Sequence, residues 1–477
     1  MKFSKETSLL LSNSLWSLIG TLISKGLMFL SWILVANILG KAVNGEIGVL
    51  RTTVNLFIAF AGNGFGVTLT KYLAITKSDE NDFRGKLLGL SFLSALVFGL
   101  LICAVYYILT PWLSSSILNA PHLLGVLKLN TFLLFFSILN GVLIGCLQGF
   151  AKFKEISIVN SIYGVLLFLG LVYGAYNSGI YGVFSGFLIA TIVSVCLSIL
   201  YTYKTITILK IDISLKFKSQ LTILRKFTLP AILTGLMVIP FKWFLETMLV
   251  REPSGYQEMG LFSAIFLFHT LVLMLANTVN APFIVSMSNA TKSKKMEKMN
   301  LLLPWGFSLI IITPILIFPE LLGLLLDDEY LADPNFKMTT ILICVITVLV
   351  LFKHGMARIM IINDLMWFSF FSNLIWGVAL LLTFYFSSVK NASTISFSYV
   401  IAYVVNVVFV IPYYLKKNII PRKIILSKNA LVTWLLFGLL VVFTMFTSNI
   451  NILIRLFILI IVMSAFSFNF YKTYSHD

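Results

Sequence analysis

Residues 18–40 read LIGTLISKGLMFLSWILVANILG, with Lys25 as the one formal charge in the run. A helix of this length, rising ~1.5 Å per residue, crosses the ~30 Å hydrocarbon core of a bilayer. The rest of the chain is of the same kind. Of its 477 residues, 59% are hydrophobic and 11% charged, against about 25% charged in soluble domains, and the mean hydropathy is +0.98. Water-facing globules are excluded, and the composition specifies an all-α polytopic membrane protein. At about 20 apolar residues per crossing, fourteen spans are expected: Leu11–Leu39, Ile47–Leu73, Leu87–Leu109, Leu123–Leu147, Ile156–Ala175, Tyr181–Tyr201, Thr228–Val250, Met259–Met287, Leu301–Phe318, Met338–Ile362, Leu365–Phe386, Ile395–Tyr414, Leu431–Phe446 and Ile452–Phe470. The first run is too long for the apolar region of a signal peptide and lacks a small-residue cleavage site, so it reads as a retained span. Cys103, Cys146, Cys196 and Cys344 fall inside spans without C-x-x-C spacing. They read as packing residues, and no metal site or disulfide frame is expected.

The formal net charge is +17, and the placement of Lys and Arg decides its meaning. With the N-terminus and every second connection on one side, 26 of the 35 cations fall there. Lys41, Arg51, Arg251, Lys337, Lys390 and Arg455 fall on the other side, and Lys25, Lys128 and Lys242 within spans. Cytoplasmic loops are the Lys/Arg-rich ones, so both termini are expected in the cytoplasm. Basic stretches such as KSKKMEK, 292–298, read as anchors facing anionic lipid, and no nucleic-acid partner is expected. The acidic stretch LLDDEYLADPNF, 325–336, reads as a solvated exterior loop.

The chain also repeats itself. NSIYGVLLFL, from Asn160, matches NLIWGVALLL, from Asn373, at Asn160/Asn373, Gly164/Gly377 and four further positions, an offset of 213. GEIGVL, from Gly45, and QEMGLF, from Gln257, pair Glu46 with Glu258 and Gly48 with Gly260 at an offset of 212. Each pair is separated by six spans, an even number, so the repeat is parallel. The expected organisation is an N-lobe of six helices over 1–203, a basic cytoplasmic linker over 204–227, a C-lobe of six helices over 228–415, and a cytoplasmic loop plus two C-terminal helices over 416–477.

On this layout, the A-N-I-L-G-x-x-x-x-G-x-x-G portion at Ala36–Gly48 is similar to the A-R-x-L-G-x-x-x-x-G pattern of the polysaccharide-repeat flippases. Asn37 stands where Arg is commoner. The chain thus resembles that branch of the multidrug/oligosaccharidyl-lipid/polysaccharide (MOP) exporter superfamily. The resemblance implies a MATE-like MOP fold and a location in the bacterial cytoplasmic (inner) membrane. It implies movement of an undecaprenyl-pyrophosphate-linked oligosaccharide from the inner to the outer leaflet by alternating access, for polysaccharide or O-antigen biosynthesis. A polysaccharide polymerase or chain-length regulator is a candidate partner. The lipid II flippases of the superfamily are similar in carrying cations on helices 1, 2 and 8 around a central cavity, which Lys25 and Arg51 match. The eighth span offers His269, Asn277 and Asn280 instead.

A charge deep in a bilayer costs roughly 2.5–3.5 kcal/mol on insertion scales and usually faces protein or water. Lys25 either faces a cavity, snorkels outward or pairs with a buried carboxylate. Lys242 and Glu246 lie four apart on one helical face, which fits a plain ion pair or a coupling site where H⁺ or Na⁺ exchanges with Lys242 for the carboxylate. Arg51 and Lys128 read as residues near the outer ends of their spans, able to meet a departing anion or to anchor the helix. His269 is either a hydrogen-bonded interior residue or a pH-dependent binding group, and Lys353, His354 and Arg358 either collect an entering pyrophosphate or are positive-inside residues. Pro240, which cannot donate to the carbonyl of Leu236, is expected to kink the seventh span beside Gly235 and Pro230 and to serve as a hinge. The substrate-binding candidates are therefore Lys25, Arg51, Lys242, His269, Lys353 and Arg358. No cofactor is expected beyond a coupling ion. A cation-coupled drug antiporter of the same superfamily is the alternative, though it would want more acids in its lobes. A membrane polymerase or glycosyltransferase would want a loop long enough to form a catalytic domain, and no connection is, so the chain reads as a transporter and not an enzyme.

Overall fold

The computed structural model describes residues 5–61, 63–76, 80–224, 228, 236–277, 294–362, 365–417, 420, 425–446 and 450–475. Pro230, Gly235, Asn280 and Lys292 lie outside them. In hydrocarbon no water is available to backbone N–H and C=O groups, so an apolar chain satisfies them within helices. Among the described residues the regular structure is helical throughout, and eleven segments are long and apolar enough to cross a membrane.

The chain divides into two compact units, Met1–Arg251 and Glu252–Asp477. Unit 1 contains α1 (Lys5–Ala61), α2 (Asn63–Ile75), α3 (Asn81–Trp112), α4 (Leu124–Gly149), α5 (Phe153–Ile208) and α6 (Ile239–Val250). Two of these hold two expected spans each. The 56 residues of α5 would stretch ~84 Å as one rod, far beyond a bilayer core. Gly179 breaks it at φ 57, ψ −139, just after Ser178, a conformation open to glycine alone. The halves then fold back on each other. Gly174 meets Gly182, and a methyl group on Gly170 would stand 3.0 Å from the Gly186 carbonyl oxygen, a close approach of the small-residue kind. In α1 the break is at Gly40, φ 76, ψ 173, the glycine that closes ANILG. Arg51 consequently sits 4.0 Å over the ring of Trp32, although 19 residues of straight helix would hold them ~28 Å apart.

Once these halves are counted separately, every expected span but the seventh has its counterpart among the eleven segments. Of the seventh, α6 starts only at Ile239, after a turn at 236–238. Pro240 therefore lies in the first helical turn and not in mid-helix; there its missing N–H would have had no intrahelical partner, so it costs nothing. The units part after Arg251, which groups α6 with unit 1, whereas the sequence reading opens the second lobe at Thr228.

Unit 2 contains α7 (Gly255–Asn277), α8 (Lys294–Ile317), α9 (Phe336–Ile362), α10 (Met366–Phe386), α11 (Ala392–Lys416), α12 (Lys428–Met445) and α13 (Ile452–Ser475). Trp305 of α8 packs its ring against Phe352 of α9, Trp434 of α12 and Phe470 of α13 at 5.0–5.3 Å between centroids, which fixes the two C-terminal helices to this unit. Arg455 adds a polar bond, donating to the Ile317 carbonyl at 2.5 Å and to Glu320 at 2.7 Å.

The repeat recurs in the internal bonding of each unit. In unit 1, Glu46 pairs with His122 at 2.7 Å. In unit 2, the matching Glu258 accepts from Asn335 Nδ2 at 3.2 Å and from the backbone N–H of Ala392 at 2.8 Å. His122 and Asn335 are again 213 apart. Asn140 of α4 accepts from Ser194 and Ser198 at 3.3 and 3.2 Å, while Lys353 of α9, 213 residues on, donates to Asn406 of α11.

Candidate functional site

The candidate site in unit 1 begins with RTT, residues 51–53, in the second half of α1. Threonines in a helix can satisfy their hydroxyls on the preceding turn, and Thr53 does so, donating to the Val49 carbonyl at 2.7 Å. Its oxygen then accepts from Trp243 Nε1 at 2.9 Å. Thr52 donates to Glu246 Oε2 at 2.5 Å. Trp243 and Glu246 are three residues apart and so share a face of α6, and these two bonds fasten α6 to α1.

Around this junction the charges gather. Arg51 lies over the ring of Trp32, stands beside Tyr163 and is within reach of the Glu246 charge. Glu246, 4% exposed, also feels Lys242. Lys25 feels Arg51 and is exposed on the unit, while Arg51 and Lys242 are half-buried. An unpaired buried carboxylate would cost several kcal/mol; here a hydroxyl and neighbouring cations compensate it. Lys25, Arg51 and Lys242 outnumber the single carboxylate, so the cluster is formally net positive, and an arginine can present several N–H donors to an anion. The structure thus brings together Lys25, Arg51, Lys242 and Glu246 of the sequence candidates.

The remaining candidates lie in unit 2 and are not assembled into one cluster. His269, 4% exposed, bonds through Nδ1 to Thr347 Oγ1 at 2.9 Å. Because Thr347 gives its own proton to the Ile343 carbonyl, Nδ1 carries the hydrogen of that bond. Arg358 is 2% exposed and donates to Asn300 Oδ1 at 2.9 Å, with Asn300 in turn donating to the Gly355 carbonyl at 2.8 Å. His354 is joined to Asn277 at 2.8 Å, while Lys353 points elsewhere, to Asn406 and the ring of Tyr403. Of the expected grouping of Lys353, His354 and Arg358, Arg358 acts on His354, while the hydrogen bonds of Lys353 and Arg358 go to different partners. Lys128 stands near the ring of Tyr107, 5.8 Å from its centroid. Among the described residues, no three His, Cys, Asp or Glu side chains gather as metal ligands.

Sequence reasoning missed Thr52, Thr53, Trp32 and Tyr163. The one available signal was RTT itself, three polar residues in succession within an otherwise apolar run.

A family model described as polysaccharide biosynthesis protein matches residues 10–288. A search of curated proteins by sequence gives no match. Among solved structures, the chain is similar to the lipid II flippase MurJ in an inward closed conformation, at TM-score 0.70 and 16% identity over 96% of this chain and 98% of that one. It is similar to a MOP superfamily transporter from Pyrococcus furiosus (0.64, 16%, 87% and 100%) and to an inward-facing multidrug resistance MATE family transporter (0.63, 15%, 85% and 98%). At these identities the likeness is one of fold. The family match covers more than half of the chain, and with the eleven apolar segments it leads to one assignment: the chain belongs to the polysaccharide biosynthesis protein family and is a multi-pass membrane protein with the fold of these MOP superfamily structures.

Proposed function

We propose that this protein moves an undecaprenyl-pyrophosphate-linked oligosaccharide from the inner to the outer leaflet of the bacterial cytoplasmic membrane by alternating access, with both termini cytoplasmic. The observation that carries this reading is the excess of cations over carboxylate around Arg51. Lys25 and Arg51 hold the diphosphate, Lys242 supports them, and Glu246 is the counter-charge when the site is empty and the place where H⁺ or Na⁺ couples. Pro240, next to the turn at 236–238, is the hinge on which α6 adjusts. The flippase assignment is favoured over cation-coupled drug export because the cluster holds one acid against several bases.

K25A and R51A, at wild-type expression, are expected to reduce the outer-leaflet appearance of labelled lipid-linked oligosaccharide by about tenfold or more, the equivalent of losing ~1.4 kcal/mol of binding. Undiminished flipping would remove both residues from the site. Drug resistance conferred without sugar transport would establish the antiporter instead.

A further inference from the structure

Lys353 sits 17 residues into α9, ~25 Å along the helix, well inside the apolar segment. Its ammonium donates to Asn406 Oδ1 and lies 5.7 Å from the centroid of Tyr403. Asn406 is fixed by its own amide, which donates to the carbonyl and hydroxyl of Ser372 at 2.6 and 2.9 Å. Both of these partners are neutral, and among the described residues no charged group acts on Lys353. Trp376 packs on Tyr403 at 5.6 Å and is 4% exposed, and its indole Nε1 has no hydrogen-bond partner among the described residues. Lys353 and Tyr403 are half-buried and so retain an open side.

The repeat offers a neutral counterpart to Lys353. In unit 1 the corresponding place, 213 residues earlier, is filled by Asn140, which bonds to Ser194 and Ser198 of the same second helix pair. A neutral amide ties the helices together in one unit, whereas unit 2 carries a cation within an apolar segment, a placement that usually marks a functional site. A ligand of opposite charge accounts for that placement.

We infer that Lys353, Tyr403 and Trp376 form a second anion subsite, contained in unit 2, in which the ammonium meets an anionic group and the aromatic rings flank it with an indole N–H to donate. Building on the flippase reading, the anion is one carried by the lipid-linked glycan, either its diphosphate or the carboxylate of an acidic sugar.

The test is binding by the purified full-length protein, measured separately from flipping, with inorganic pyrophosphate and with a glucuronate trisaccharide that carries neither lipid nor phosphate. K353N installs the residue found at Asn140 and should keep the wild-type melting temperature. It is expected to weaken at least one probe about tenfold, with K353R retaining that binding. Loss confined to the trisaccharide assigns the subsite to an acidic sugar, and loss of pyrophosphate binding assigns it to the diphosphate. The inference is overturned if K353N binds both probes as wild type does, if wild type binds neither, or if K353R loses binding along with K353N. Failure of the flippase reading would appear separately, as undiminished flipping by R51A.

Discussion

The two units use the same repeat differently. In unit 1 the titratable residues inside the helices converge, and Arg51, Glu246, Lys242 and Lys25 act on one another across α1 and α6. In unit 2 they are less concentrated: His269 bonds Thr347, Arg358 bonds Asn300 and acts on His354, and among the described residues no charged group acts on Lys353. The clasps differ as well. Glu46 meets one exposed imidazole, whereas Glu258 collects donors from the starts of both α9 and α11. A shared frame therefore fixes where helices begin and which ones touch, and the occupants of matching positions decide which unit gathers charge.

The contrast predicts a gradient of effects. E246A leaves Arg51 and Lys242 without their shared counter-charge and α6 without its bond from Thr52 of α1, so unit 1 should lose about 3–5 kcal/mol. E246Q keeps an acceptor for Thr52 but not the charge, so it should lose less than E246A only by that hydrogen bond, and a wild-type melting temperature for E246Q would deny the carboxylate its compensating role. E258A, which strips the acceptor from an interhelical bond and a backbone N–H, should cost about 1–3 kcal/mol. E46A, whose partner His122 is largely exposed, should cost less than ~1 kcal/mol. Comparable losses for E46A and E258A would erase the difference between the clasps.

The smallest effect concerns Glu320, which lies between spans. Partial burial pushes its carboxyl up, but the hydrogen bond and charge of Arg455 outweigh this and hold it below the usual carboxylate range. A depressed carboxyl contributes its full stability above the unfolded value of ~4.3 and loses it as the pH falls through the lower folded value. The melting temperature of wild type should therefore fall slightly more below that pH than that of E320Q. Parallel curves would show that the Arg455 bond does not depend on ionisation.

The intramembrane charges were readable from the sequence because each interrupts an apolar run, and Lys25, Arg51, Lys242 and Glu246 stand out on that ground alone. The repeat was readable in the same way, from Glu46 and Glu258 at matching offsets. What hid the rest was degeneracy. A threonine in a helix can bond its own preceding turn, so nothing in Thr52 or Thr53 announces a partner nearly two hundred residues away. Trp32 looks like any apolar residue until the break at Gly40 returns Arg51 to its face. Arg358 and Lys353 look alike as charges in the second half of one apolar helix, and only packing separates the one bonded to Asn300 from the one held beside an aromatic ring. Pro240 signals a disturbance in the helix without saying whether it kinks a span or starts one.

In the proposed function, the net positive cluster of unit 1 receives a diphosphate. Titration of the purified full-length protein with a soluble prenyl diphosphate tests it most directly. Saturable binding by wild type that is weakened about tenfold or more in R51A and in K25A, while K128A binds as wild type does, is the predicted result. Binding unchanged in both R51A and K25A would contradict the account.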